Sequence, residues 1–392
     1  MASLTPPVSA AATLSFSLKK AKALITLPWS HAAKPATSAR MKSAKNISKM
    51  QTSLLAWYDL AGRTLPWRIR PEDRAKGLTA DPYAVWLSEI MLQQTTVAHA
   101  TPYWEKFLRE FPSVTDLANA ERDRILTLWA GLGYYARGRN LHKCAQIIRD
   151  EYDGEFPQSE AQLLKLPGIG PYTAATMAAI CFDKATNIVD GNVERVISRI
   201  FCVQNPLPKG KSELRQLAAT LASTNRPGDY GQALMDLGAT ICTPRSPTCG
   251  ICPWENFCLA RKDDVQADYP KRIKKAKLPT RYGTVYVLSY GGKILLRQRP
   301  DKGLLGGMME FPGSEWGDTQ SPALKGAPNE RNWEKCESRV RHVFTHFELF
   351  LDVYRAESSS PDIDGVWVPL ESINNYALPT VMKKALKIAQ QP

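Results

Sequence analysis

The sequence predicts a multidomain chain, an all-α body followed by a smaller α+β domain. Three observations carry this. From about residue 51 to 264, apolar residues recur at three- and four-residue steps, the period of helices with one buried face. After Tyr282 the period changes to β-rich runs joined by glycines. At 392 residues the chain is too long for one small core, and roughly 100–200 residues per domain allows two or three.

Residues 1–50 are rich in Ala, Ser, Thr and Lys, contain no acid and show no sustained periodicity, so disorder is expected there. An organellar transit peptide shares that acid-poor composition, although Arg is nearly absent. Met41 and Met50 are alternative starts, and ordered sequence is expected from "MQTSLLAWYDLAGRTLPWR" onward. In the body, "DPYAVWLSEIMLQQTTVAHATPYWEKFLREF" has helical spacing. "VTDLANAERDRILTLWAGLGYYARGRNLHKCAQIIRDEY" reads as shorter helices broken at Gly131 and Gly133. "SEAQLLKL" opens with Ser159 and has Gln162 three residues later, a capping-box pattern. Residues 265–281 are basic and proline-bearing, a linker. Residues 282–392 form the α+β domain, with a hairpin expected at Gly291-Gly292 and another β-rich run at "HVFTHFELFLDVYRAE".

The formal charge is +13, from 51 basic and 38 acidic residues. Eight of the basic residues and none of the acidic ones lie in 1–58, so much of the excess is in a tail. The rest is still basic, which fits a polyanionic partner. No apolar run approaches the roughly 20 residues of a membrane span.

Eight cysteines in a chain this long do not make a secreted disulfide scaffold. Four are dispersed, and four fall together in "CTPRSPTCGICPWENFC": Cys242, Cys249, Cys252 and Cys258. Four clustered thiolates in a reducing compartment hold either an iron–sulfur cluster or tetrahedral zinc. Zinc ribbons usually show two close cysteine pairs, and only one is present here.

"LPGIG" at Leu166–Gly170 separates a capped helix from "PYTAATMAAICF", with Pro171 at the first helical position. Gly168 and Gly170 lack β-carbons, so backbone N–H groups there can approach a phosphate at the positive end of the next helix. "VDGNV" follows about twenty residues later. Its Asp190 is either a helix N-cap ahead of "NVERVISRIF", a reactive carboxylate, or both.

Together, "LPGIGPYTA" and "VDGNVERVISR" resemble the helix-hairpin-helix signature of base-excision DNA glycosylases of the endonuclease III superfamily. The cysteine spacing resembles that superfamily's [4Fe–4S] loop. "LPWR", "WLSEIMLQQT", "GLGYYARGRNL" and "LMDLGATIC" narrow the resemblance, across about residues 51–264, to MutY-type adenine DNA glycosylases. The resemblance implies hydrolysis of the bond to adenine mispaired with 8-oxoguanine or guanine in double-stranded DNA. It gives catalytic roles to Glu89, Asp190, Tyr172 and Asn192. Bifunctional relatives carry a lysine where Tyr172 stands, and a phenol forms no imine, so a monofunctional hydrolase is implied.

The chemistry is consistent with those residue types. Adenine leaves poorly unless a ring nitrogen is protonated, and Glu89, preceded by "VWL", sits in the apolar setting that raises a carboxyl pKa. Bond cleavage leaves an oxocarbenium-like sugar that the Asp190 carboxylate can stabilise or trap. Adenine must be extruded from the stack first. The resemblance assigns Gln94 and Tyr134 to the vacated base pair, and Trp67, Arg68 and Asp236 to the adenine pocket. The loop "IRPEDRAKGLTA" after Arg68 is longer than the family's usual one, which puts the placement of Arg68 in question.

"KGLLGGMMEFPGSE" resembles the start of a Nudix hydrolase fold, but no glutamate-rich R-E-x-x-E-E helix follows to bind Mg²⁺. The domain therefore resembles the binding-only C-terminal module of MutY proteins, with Phe344, Thr345 and His346 of "RHVFTHFEL" as its lesion contacts. The rival readings are an endonuclease III-like lyase, which Tyr172 opposes, an idle DNA clamp, and Nudix pyrophosphohydrolysis, which the missing glutamates oppose. A monomer is expected, with partners among repair proteins and no membrane. Its place would be the nucleoid of a bacterium, or the nucleus, mitochondrion or plastid of a eukaryote.

Overall fold

A computed structural model describes residues 43–274, 276–320, 322, 324–328 and 332–391. The first helix, Ala44–Ala61, starts earlier than the composition suggests. Ser43 caps it by accepting from the Asn46 N–H, and Met50 is buried, its carbonyl accepting from the Trp254 indole at 2.8 Å. Residues 44–50 are thus helical rather than disordered, because Ile47 and Met50 have a core to enter. The remainder of the expected tail, 1–42, lies outside the described residues.

The helical body has two hydrophobic cores. One gathers Trp86, Leu87, Phe107, Leu126, Trp129 and Ile148 from the helices between residues 82 and 151. The other gathers Leu54, Tyr58, Val193, Ile197, Leu214 and Leu234 from the first helix and those between residues 191 and 236. The helix Pro171–Phe182 runs between them: Ala174, Met177 and Ala178 face the first core, Ala175 and Ala179 the second. Burial on both sides leaves little room, which explains its run of alanines. The breaks at Gly131 and Gly133 are real, with φ of +111° and +72°, conformations that glycine adopts without steric cost.

Residues 265–273 stay attached to the body. Tyr269 is buried, and the Leu207 N–H donates to the Lys271 carbonyl at 2.8 Å. The C-terminal sheet begins with β1 at Thr280–Tyr290, followed by β2 Lys293–Gln298, β3 Met309–Glu310, β4 Glu334–Val343, β5 Glu348–Glu357 and β6 Val366–Pro369. The order is β3-β2-β1-β5-β4, with β6 beside β2; β1 and β5 are parallel over their whole length. Gly291 and Gly292 both have positive φ, as the tight β1–β2 hairpin requires. The helix Thr380–Ala389 covers one face through Val381, Met382, Ala385 and Leu386. "HVFTHFELFLDVYRAE" is not one strand: residues 344–347 turn the chain between β4 and β5.

The segment that resembles the start of a Nudix site docks the two domains together. Met308, fully buried, joins the first helical core, and Leu305 packs against both that core and the C-terminal one. Around them, Arg122 pairs with Asp301 at 2.9 Å, and Arg139 donates to the Gly306 carbonyl at 2.5 Å. Among the described residues, no helix is long and apolar enough to cross a membrane.

Candidate active site and cluster loop

Where the two helical cores meet, a cleft of about 670 Å³ opens to solvent, within the usual range of small-ligand sites. Glu89, Tyr172, Asp190, Asn192, Trp67, Arg68, Gln94 and Gly170 all line it. Residues up to 125 positions apart in sequence thus converge on one cleft.

Glu89 lies in the Pro82–Leu92 helix and is only 6% exposed. Burial pushes its carboxyl up to about 7. The Tyr172 hydroxyl and Arg68 work against that shift, and Asp190 adds to it. The Tyr172 hydroxyl also sits 3.1 Å from the Met235 sulfur. Asp190 is the N-cap of the helix Gly191–Phe201: one carboxylate oxygen accepts from the Val193 N–H at 2.7 Å, the other from Asn192 Nδ2 at 2.9 Å. Burial raises the Asp190 pKa, and the Val193 and Asn192 hydrogen bonds restrain it. N-cap and cleft carboxylate are therefore the same group. Gly238 explains part of this placement, since a β-carbon there would lie 2.7 Å from that of Asn192.

Asp236 departs from expectation. It is fully buried behind the cleft and does not line it. Instead it accepts from Arg68 Nη1 at 2.8 Å, from the Arg63 N–H at 2.8 Å and from Arg63 Nε at 2.7 Å. Burial opposes the charge on Arg68, and Asp236 outweighs it, raising that pKa. The long loop after Arg68 does not disturb this anchor. It folds back on the first helix, where Arg70 donates to the Asp59 carbonyl at 3.1 Å and lies over the Tyr58 ring.

Gln94, on the cleft lining, is exposed with φ of +59°, and Tyr134, which does not line the cleft, is 45% exposed with φ of +48°. Non-glycine residues held in that left-handed region carry strain of order 1–3 kcal/mol, and such residues cluster at functional sites. In the hairpin, Gly168 has φ of +79°, and Gly170 begins the helix Pro171–Phe182 without any side-chain cap. Leu166 is buried and sends its side chain into the first core.

In the C-terminal domain, Thr345 and His346 are exposed at the β4–β5 turn. Phe344 is not free beside them. It packs in its own domain against His342, Phe347 and Trp316, with ring centroids 4.6, 4.8 and 5.9 Å away. Thr345 Oγ1 lies 2.9 Å from the Tyr134 hydroxyl, across the domain boundary.

Cys242, Cys249, Cys252 and Cys258 surround one cavity with Ile200 and Trp254. Three N–H groups reach the sulfurs: Arg199 Nη1 to Cys242 at 3.2 Å, the Trp254 N–H to Cys252 at 3.4 Å, and Gln266 Nε2 to Cys249 at 3.6 Å. The four sulfurs around that one cavity make an all-thiolate donor set. That suits a cubane cluster, which these N–H groups would tune as a one-electron couple. Leu237–Ile241 is a widened π-helical turn between Asp236 and Cys242, a distortion frequent at functional sites.

Sequence reasoning missed Arg63, Met235, Glu194, Lys211 and Arg215, all on the cleft wall. Only Lys211 and Arg215 carried a signal, their spacing of four residues on a helix.

Comparison with known proteins agrees with this geometry. Residues 87–222 match the HhH-GPD superfamily of base excision DNA repair proteins, 242–258 the iron-sulfur binding domain of endonuclease III, and 283–387 the NUDIX domain. The human adenine DNA glycosylase is 34% identical over 416 residues, covering 90% of this chain and 76% of that one. That of Buchnera aphidicola subsp. Schizaphis graminum is 33% identical over 349 residues, covering 86% and 97%. A solved thermostable thymine-DNA glycosylase superposes with a TM-score of 0.50 at 28% identity, over 58% of this chain and 99% of that one. With the hairpin, the buried glutamate and the four-cysteine loop in place, the chain belongs to the adenine DNA glycosylases and carries their [4Fe–4S] cluster.

Proposed function

We propose that this adenine DNA glycosylase acts on adenine mispaired with 8-oxoguanine, and on adenine opposite guanine, in double-stranded DNA. One observation carries the mechanism: Glu89 is buried, holds its proton near neutrality and shares a cleft with Asp190. The extruded adenine takes that proton on a ring nitrogen, and the bond from base to sugar breaks with the electron pair leaving on the base. Asp190, aimed by Val193 and Asn192, faces the positive charge left on the sugar. Water then adds to the sugar, passes its proton to the Glu89 carboxylate and leaves an abasic site. Tyr172 orients Glu89 and supplies no amine, so strand cleavage is not part of the reaction.

The remaining roles follow from position. Trp67 and Arg68 form the base pocket, with Asp236 holding Arg68 from behind. Gln94 and Tyr134 enter the space the base vacates. The Gly168–Gly170 hairpin and the Leu166 backbone grip phosphate. Thr345 and His346 read the lesion, and Phe344 anchors their turn. Cys242, Cys249, Cys252 and Cys258 hold the cluster.

The test is single-turnover excision by the full chain on duplexes with adenine opposite 8-oxoguanine, guanine or thymine. The expected result is alkali-labile sites in the first two, fastest in the first, and no adduct trapped by borohydride. Intact adenine opposite 8-oxoguanine, with the cluster loaded, would refute it. Point variants of Thr345 and His346 are preferable to deleting the domain, because Met308 completes the helical core.

A further inference from the structure

We propose that Lys211 and Arg215 form a second phosphate clamp, gripping the phosphodiester backbone that flanks the extruded nucleotide. Both project from the helix Lys211–Leu221, four residues apart and so on one face, and both line the cleft beside Asp190 and Asn192. Four cations line that cleft. Arg63 and Arg68 both end on the buried carboxylate of Asp236, so their charge is committed.

The other two are available. Arg215 is exposed, has no ion pair among the described residues, and has its backbone fixed by Asn187 Nδ2, which donates to its carbonyl at 2.9 Å. Lys211 Nζ lies 3.4 Å from Glu194 Oε1; the lysine side chain is 49% exposed and that of the glutamate 10%. Glu194 thus holds the amine at the cleft edge, where a phosphate can share or replace it as partner. The need is electrostatic. Asp190 and Glu194 put negative charge in the cleft, and a nucleotide brought there carries phosphates on both sides of its sugar. A glycine hairpin on one side and two cations on the other would hold both flanks. The clamp rests on the Asp190 cleft being where the base is extruded.

The experiment measures duplex affinity against salt, using the full-length cluster-loaded protein. The probe is a duplex with adenine opposite 8-oxoguanine whose target sugar carries a 2′-fluorine to block excision. The double variant Lys211→Gln/Arg215→Gln is expected to bind roughly 10- to 100-fold more weakly at 0.1 M salt. Its log Kd against log salt slope should be shallower by about 1.8, from about 0.9 per lost phosphate contact. Undamaged duplex, which brings no extruded nucleotide to the cleft, should lose less affinity than the mispaired probe. Lys211→Arg/Arg215→Lys should keep the wild-type slope. Glu194→Gln, which frees the amine, should tighten binding a few-fold. Wild-type slope and affinity in the glutamine double variant, or weaker binding by Glu194→Gln, would overturn the clamp. Wild-type excision from an unmodified duplex, run in parallel, tests the base site separately.

Discussion

The Tyr134 hydroxyl and Thr345 Oγ1 lie 2.9 Å apart and join the helical body to the β4–β5 turn. Tyr134 is held in a strained backbone conformation and Thr345 sits at a loop tip, so neither is fixed by a core. The contact therefore couples the β4–β5 turn, proposed above to read the lesion, to the helical body at Tyr134. Tyr134→Phe and Thr345→Val should each lower the preference for 8-oxoguanine over guanine by about 2- to 10-fold, the scale of one hydrogen bond. The double variant should be no worse than either single one, and additive losses in single-turnover rates would mean the two act independently.

Glu89 makes opposite demands on activity and stability. Its carboxyl moves from an ordinary value of 4.5 to about 7, so kcat/KM should fall as pH rises through about 7, when the acid loses its proton. Asp190 must be ionised, and its pKa is also raised, so a second fall is expected on the acid side. Glu89→Gln should lower turnover by about 10²–10⁴-fold while retaining duplex affinity.

The same shift affects folding. A carboxyl with a raised folded pKa binds its proton more tightly in the native state. The stability this supplies is fully present below the ordinary value and is lost as pH climbs through about 7. Glu89→Gln never ionises, so it should gain on the wild type by up to ~3 kcal/mol at pH 8.5 and by much less at pH 5. Parallel melting curves at those two pH values check it. A gap that narrows with pH would contradict the buried acid.

Asp236→Asn removes the one carboxylate shared by Arg63 and Arg68. Breaking a buried pair leaves a charge without its partner, at a cost of about 3–5 kcal/mol. Denaturant unfolding should show that loss, and excision should fall because Arg68 no longer has a fixed place in the pocket. An unchanged midpoint would show that Arg63 and Arg68 find other anions.

Much of this was legible in the sequence because it is local. The cap at Asp190, the breaks at Gly131 and Gly133, the Gly291-Gly292 turn and the cysteine loop each depend on a few adjacent residues. So did the burial of Glu89, foreshadowed by the apolar "VWL" before it. What stayed hidden depends on which side of a wall a residue faces. Asp236 was expected in the pocket and stands behind it, Leu166 turns into the core, and Phe344 packs into its own domain. Helical periodicity marks a buried face but does not distinguish a core from the back of a cleft. The helix at 44–50 was missed for a related reason: its composition is polar, and the core that Met50 enters comes from distant residues such as Trp254, some 200 positions away.

A chain of hydrogen bonds leads from the cluster loop to the cleft. Arg195 Nε donates to the Cys242 carbonyl at 2.8 Å, and its Nη2 donates to the Gly238 carbonyl at 2.7 Å and to Asn192 Oδ1 at 2.9 Å. Asn192 in turn donates to Asp190 Oδ2. The planar guanidinium holds three acceptors at once, which a lysine ammonium on a flexible stem does not reproduce. Arg195→Lys keeps the charge and loses the fork, so Asp190 should lose its aim. Excision should drop about 10- to 100-fold, the usual cost of removing an outer support of a site. Iron content per protein should stay at the wild-type level, because none of the four cysteine side chains is touched. If iron and activity fell together, Arg195 would be a support of the cluster loop alone. If neither changed, Asp190 would owe its orientation to Val193 and the helix it caps.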